Sequence, residues 1–233
     1  MISVVIIGQG NVATHLFKAF SKVPSIVVTQ VNSRNLKNIP LVDITIIAIS
    51  DDAIASVSSK INNPLVVHTS GSIAMESLKN PTRKGVFYML QTFSKEKEVD
   101  FSKVPFCIEA ENKKDLELLE LLAKKIGEKI YPITSKERQY LHVAAVFANN
   151  FSNHMYKIAN DICDTHQIPF EILHPLIIET GEKATQMPPK NAQTGPAIRN
   201  DKKTIQNHIS LLDFEQQKIY KLLTKSIQNG EKL

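Results

Sequence analysis

The run Ile2-Ser3-Val4-Val5-Ile6-Ile7-Gly8-Gln9-Gly10-Asn11-Val12-Ala13 opens the chain with three patterns in succession. Ile2 to Ile7 is β-branched except at Ser3, as expected of a strand buried on both faces of a parallel sheet. Ala13, Leu16, Phe17 and Phe20 then recur at helical spacing, and Pro24 closes that helix. Between strand and helix lies G-x-G-x-x-A. In such a turn the first glycine makes the tight bend, the second lets backbone approach a pyrophosphate, and the small third residue lets helix pack on strand. The helix start adds free N–H groups and the positive end of its dipole. With a second strand at Ile26 to Val31, this order predicts a dinucleotide site at Gly8, Gln9, Gly10, Asn11, Val12 and Ala13; the alternative is a purely structural glycine turn.

The end of the second strand reads Val31-Asn32-Ser33-Arg34. Sites for NAD place an acid there to accept from the ribose 2′-hydroxyl. A guanidinium and a hydroxyl instead suit a 2′-phosphate, so Asn32, Ser33 and Arg34 predict NADP ahead of NAD.

Strand-like runs continue at Ile44 to Ile49, Leu65 to Thr69, Gly85 to Tyr88, Pro105 to Glu109 and Lys129 to Ile133. An amphipathic helix carrying Leu116, Leu119, Leu122 and Ile126 separates the last two. Alternation of this kind predicts an α/β, Rossmann-type, doubly wound and mostly parallel sheet. From Thr134 the pattern is helical only. A capping box, Thr134 with Glu137, opens a stretch free of Pro and Gly that runs to about His166, and Asp213 with Gln216 offers another. The expected division is 1–134 for the cofactor domain and 135–233 for a helical substrate and dimerisation domain. Val143 to Ala148 is apolar around the helix, which calls for burial on all sides, and about a hundred helical residues rarely bury such a helix alone. A homodimer through the helical region is expected.

The 233 residues and 26.1 kDa suit a lopsided pair of domains, and 42% apolar with 22% charged residues excludes disorder, collagen and fibrous coiled coil. Apolar runs fall short of the roughly 20 residues of a membrane span, and strand-like sequence from Ile2 leaves no room for a signal peptide, so a cytoplasmic protein is expected. The +5 charge is scattered, without interleaved aromatics, so no nucleic-acid partner is expected. Cys107 and Cys163 read as small buried hydrophobes, and no metal site is expected.

Further candidates sit at strand ends and on the long helix. Ser50, Asp51 and Asp52 follow the third strand, where a serine or acid would cap a helix beginning near Ala53, with Ser50 beside the cofactor. His68-Thr69-Ser70-Gly71-Ser72 follows the fourth strand with small and hydroxyl residues. Thr69 is assigned to the cofactor, His68, Ser70 and Gly71 to the substrate, and Ser70 also to proton handling. On the helix, His142, Asn149 and Asn153 share a face, with Asn150 and His154 beside them. Amides and imidazoles in apolar sequence form either an internal network or the wall of a polar cleft. His142 is a candidate proton donor, Asn150 a catalytic amide and Asn149 a substrate contact. In Thr194 to Asp201, Asp201 reads as a helix cap, and Arg199 as an anchor for a substrate carboxylate or as a base paired with Asp201.

GQGNVA, HTSGS, LQTF at Leu90 to Phe93, HVAAVFANNFSNHMY from His142 and TGPAIRND together resemble the Rossmann-like proteins with a C-terminal helical domain of unknown function. That family is similar to pyrroline-5-carboxylate reductases and, more distantly, to 6-phosphogluconate dehydrogenase-type and deazaflavin-dependent NADP reductases. The resemblance spans nearly the whole chain and implies an oxidoreductase with a nicotinamide cofactor. Relatives often carry His-Pro where this chain has Tyr88-Met89, and the related β-hydroxyacid dehydrogenases carry a lysine with an asparagine four residues on, where this chain offers His142 and Val146. Neither role carries over. The leading expectation is an NADPH-dependent reductase of a small, carboxylated carbonyl or imine in the cleft between the domains. The competing one is a non-catalytic NADP-binding sensor or scaffold.

Overall fold

A computed structural model describes residues 1–230. Its seven strands are β1 (Ile2–Ile7), β2 (Ile26–Val31), β3 (Ile44–Ile47), β4 (Leu65–His68), β5 (Arg83–Met89), β6 (Phe106–Ala110) and β7 (Ile130–Pro132). They form one sheet in the order β2-β1-β3-β4-β5-β6-β7, parallel throughout except between β5 and β6. The chain leaves β1 for β2 on one side and β3 on the other, and this reversal opens a crevice at the strands' carboxyl ends.

Successive residues of a strand face opposite ways, and the core follows that alternation. Val4, Ile6, Ile46 and Val67 point to one face, where α1 (Asn11–Ser21) and α3 (Lys113–Ala123) contribute Leu16, Phe20, Leu119 and Leu122. Ile7, Ile47 and Val66 point to the other, where α2 (Asp51–Ser58) contributes Ile54 and Val57. All residues of β3 and β4 are buried, which is why both read as near-continuous apolar runs, broken only by Thr45 and His68, rather than alternating ones. β3 stops at Ile47, two residues before the expected end, and α2 begins at Asp51, two residues before Ala53; Ser50 occupies its N-cap position but makes no side-chain capping bond.

After β7 the described elements are all helical. Thr134 caps α4 (Ser135–Ala145) through the expected box: Glu137 N–H donates to Thr134 Oγ1 at 3.3 Å, and Thr134 N–H donates to Glu137 Oε2 at 2.8 Å. One π-helical turn, Val146–Phe151, follows. The chain divides into two compact units, the first being Met1–Asn150 and the second beginning at Phe151. The first unit includes α4 because that helix is tied to the sheet by side chains described below.

The second unit contains α5 (Ser152–Thr165), α6 (His174–Gln186), α7 (Pro189–Ala192), α8 (Lys202–Ser210) and α9 (Phe214–Gly230). Asp201 Oδ1 caps α8 by accepting from Thr204 N–H at 3.1 Å, and the Asp213–Gln216 box forms before α9. Val143 and Phe147 are 55% and 65% exposed, so the segment expected to be buried on all sides is not buried by its own chain. The two cysteines are free and buried. Among the described residues no helix is long and apolar enough to cross a membrane, and no group of three or more His, Cys, Asp or Glu could hold a metal ion.

Candidate active site

The glycine turn after β1 has the shape its sequence demands. Gly8 adopts φ +136°, and a Cβ there would lie 2.1 Å from the Ala48 carbonyl oxygen, so only glycine fits. Gly10 is the N-cap of α1. It supplies no side-chain cap, and no acid occupies the first turn. The N–H groups of that turn therefore keep their hydrogen-bonding capacity, and the positive end of the helix is not neutralised. A Cβ on Gly10 would meet nothing within 4 Å, so the approach to these groups is open.

In front of this turn lies a cavity of about 910 Å³. Gln9, Gly10, Asn11 and Val12 line one wall; Asn32, Ser33 and the exposed Arg34 line another, and Ser50 closes the third. Asn32 organises the far wall. Its Oδ1 accepts from Arg34 N–H at 2.9 Å and its Nδ2 donates to Gln9 Oε1 at 3.1 Å, tying the strand end to the glycine turn. Gly8 and Ala13 shape this site from beneath: Ala13 is fully buried, and the Gly8 carbonyl accepts from Gln30 Nε2 at 2.9 Å. Thr69, half-buried, directs its hydroxyl to the Ile47 carbonyl at 3.5 Å and lines neither this cavity nor the next.

A second cavity of about 570 Å³ adjoins the first, and Gln91 lines both. Its walls come from β5 and the segment after it (Tyr88, Leu90, Thr92) and from α4 with the π-helical turn (His142, Asn149, Asn150). The segment that carries Gln91 is held by α1: Asn11 Nδ2 donates to the Phe93 carbonyl at 2.8 Å, and His15 Nε2 lies 2.8 Å from the Ser94 carbonyl. One helix thus presents its N-terminus to the larger cavity and fixes the boundary with the smaller. The π-helical turn brings Asn149 and Asn150 to the same wall as His142, in keeping with the frequent placement of such turns at functional sites.

The seat of α4 is electrostatic. Glu109 on β6 accepts from Arg138 Nη1 at 2.6 Å and from the Ser135 N–H and hydroxyl at 2.8 and 2.7 Å. Arg138, fully buried, also donates from Nη2 to the Ile73 carbonyl at 2.6 Å. Removing one partner of such a pair strands a buried charge and costs about 3–5 kcal/mol. His142, one turn further along α4, inherits its position from this anchor.

Three other expected site residues of the first unit, His68, Ser70 and Gly71, line neither cavity. His68 is fully buried, and its Nδ1 accepts from Ser70 N–H at 3.2 Å. Burial, with Arg138 beside it, pushes the His68 pKa down to about 4, so the ring is neutral near pH 7. The Ser70 hydroxyl oxygen accepts from the N–H groups of Ser72 and Ile73 at 3.1 and 3.0 Å and so shapes the turn after β4. Gly71 packs behind His142. Arg199 is exposed in the second unit, where Asp201 is engaged as the cap of α8; Asn153 and His154 are exposed on α5. Tyr88, Gln91, Glu109 and Arg138 are functional-site residues that the sequence alone does not single out. Gln91 had a signal in LQTF, and Tyr88 had one as a departure from the family pattern.

The sequence matches a family described as a domain of unknown function, DUF2520, over residues 104–227, more than half of the chain. A search of curated proteins finds no match. Among solved structures, Bacteroides fragilis BF3122, described as a candidate NADP oxidoreductase, is 37% identical with a TM-score of 0.90 over 98% of each chain. Plasmodium falciparum pyrroline carboxylate reductase, solved with NADP bound, is 11% identical with a TM-score of 0.56, covering 97% of this chain and 98% of that one. A Streptomyces aurantiacus imine reductase is 13% identical with a TM-score of 0.63, covering 99% and 94%. The last two likenesses are of fold alone. Matched over residues 104–227 by the family and along nearly its whole length by BF3122, this Rossmann-type chain belongs to the DUF2520 family.

Proposed function

We propose that this protein is an NADPH-dependent oxidoreductase that reduces a small carbonyl or imine compound in the cavity walled by Tyr88, His142 and Asn150. One observation carries the reading: Gln91 belongs to both cavities, so a cofactor seated at the start of α1 and a substrate seated against α4 would meet there. The likeness to BF3122, to a pyrroline carboxylate reductase and to an imine reductase supports the chemistry.

The glycine turn fits a dinucleotide on its own geometry, since only Gly8 tolerates its contact and the α1 N-terminus is uncapped. The backbone N–H groups at Gly10 to Val12 would hold the pyrophosphate, Arg34 and Ser33 the 2′-phosphate, and Ser50 the opposite side. Bound there, the cofactor supplies a hydride. His142 delivers the proton to the oxygen or nitrogen of the reduced double bond, and the Asn149 and Asn150 amides hold that atom as it gains negative charge. The working form is a cytoplasmic homodimer joined through the helical region, a reading supported by the exposure of Leu176 and Leu222, 62% and 69%, on helices with little buried surface of their own. Sedimentation of a dilute monomer would overturn the dimer.

The test is NADPH oxidation against keto acids and cyclic imines, and NADP+ reduction with β-hydroxyacids, with His142→Ala alongside. Turnover lost in the variant is the expected result. Tight NADPH binding without turnover of any compound would instead favour a non-catalytic NADP sensor, a reading to which the uncovered apolar helices also lend support.

A further inference from the structure

Two elements close on the same edge of the His142 ring. Tyr88 Oη, on β5, lies 3.2 Å from His142 Nδ1, with the rings edge to face at 6.1 Å and 78°. Gly71, in the turn after β4, backs onto the pair: a Cβ there would lie 2.5 Å from Nδ1 and 3.0 Å from Tyr88 Cζ. Neither substrate nor a larger side chain can reach Nδ1 from that direction. His142 nevertheless lines the 570 Å³ cavity, which leaves its other nitrogen to face the ligand space.

We propose that Tyr88 is the positioning residue of this site: its hydroxyl donates to His142 Nδ1, fixing the imidazole as the Nε2–H tautomer with that N–H turned to the cavity.

The direction of the hydrogen bond follows from the partners. A phenol carries one proton, whereas a neutral imidazole offers one donor and one strong acceptor. Tyr88 is 9% exposed, and burial, reinforced by neighbouring Cys107, pushes its pKa up to about 12, so the proton stays on its oxygen. An unprotonated imidazole nitrogen is a far better acceptor than a phenol oxygen, so the phenol proton goes to Nδ1 and the ring proton to Nε2. Gly71 enforces the arrangement sterically, since any side chain there would separate the two rings. An imidazole held this way keeps a donor aimed at a developing negative charge without reorganising during the reaction, and as Nε2 passes its proton to that atom Nδ1 takes the Tyr88 proton, so no imidazolate forms and solvent restores the phenol afterwards.

The tautomer can be read without turnover. Protein labelled with ¹⁵N-histidine, with the His142 signal assigned by its loss in His142→Gln, is expected to show a protonated Nε2 and an unprotonated Nδ1. Tyr88→Phe, which removes only the hydroxyl, should give a mixture of tautomers. Gly71→Ala should disturb the same signal by crowding Nδ1. A wild-type Nδ1–H tautomer, or an unchanged Nε2–H tautomer in Tyr88→Phe, would overturn the proposal. Its catalytic consequence rests on the reading of His142 as proton donor. With a substrate in hand, Tyr88→Phe should lower kcat roughly tenfold or more with the KM for NADPH unchanged, and should cost nothing further in His142→Gln. Equal losses in both backgrounds would overturn the positioning role. Full turnover in His142→Gln would instead sink the proton-donor assignment while the spectra still decide the tautomer.

Discussion

The sheet unit and the helical unit treat their apolar side chains in opposite ways. In the first, Val4, Ile6, Ile46 and Phe87 are fully buried. In the second, Cys163 and Ala197 are the buried residues among those described, while Phe214, Leu222 and Ile172 are 71%, 69% and 66% exposed. A sheet covered by helices on both faces closes its own core. A set of short amphipathic helices does not, and its apolar faces need cover from elsewhere, which on our reading is a second copy of the chain. The glycine turn and both cavities belong to the self-sufficient unit, so the cofactor site we propose does not depend on how the helices are covered.

The largest expected effect separates the units directly. Phe87 packs its ring against Phe20 and Phe106, with centroids 6.4 and 5.4 Å away, and truncating such a residue to alanine costs about 3–5 kcal/mol. Phe87→Ala should lose that amount in denaturant unfolding at any protein concentration. Leu222→Ala should act chiefly on the concentration dependence of the transition. Should Leu222→Ala behave identically at low and high concentration, the helices would need no second copy, and the contrast between the units would collapse.

Acid should weaken the sheet unit next. The folded pKa of His68 is about 4 against an unfolded value near 6.5, so the unfolded chain takes up the proton first and stability falls as pH drops through that window. The group contributes about 3 kcal/mol above pH 6.5, all of it lost by pH 4. His68→Asn, which keeps an acceptor for the Ser70 N–H, should lack this part of the acid dependence. Unfolding curves collected from pH 7 to 4 that superimpose for the two proteins would refute the account of His68.

Helix caps give the smallest effect. Thr134→Ala removes the hydroxyl from the box that starts α4 and should cost about 1 kcal/mol. Asp213→Ala removes the matching cap before α9 and, by the same local physics, should cost a similar amount. A cap effect of several kcal/mol at Asp213, read from the shift in urea midpoint, would mean that the helical unit is more cooperative within one chain than its exposure implies.

What the sequence disclosed follows the same division. The strand–turn–helix at Ile2 to Phe20 is legible because its constraints act over a few residues: a bend only Gly8 can make, a helix start at Gly10, a stripe of apolar residues. Arg34 is legible because it occupies a defined position after β2. The wall of the smaller cavity depends on residues far apart in sequence. Tyr88 meets His142 across 54 positions, and Glu109 meets Arg138 across 29, and no local pattern announces either pairing. His68 and Ser70 show the reverse problem. A histidine among small hydroxyl residues after a strand reads as the lining of a cleft, yet the same residue types suit a tight turn, and here the Ser70 oxygen accepts from two backbone N–H groups within three residues.

The central claim is that the larger cavity takes NADPH, with Arg34 selecting the phosphate. Calorimetric titration of the protein with NADPH and NADH, repeated on Arg34→Ala, addresses it without knowledge of the substrate. NADPH is expected to bind at least about tenfold tighter than NADH, a difference of about 1.4 kcal/mol, with the gap closed in Arg34→Ala. Equal affinity for the two cofactors, or a preference for NADPH that survives the substitution, would contradict it.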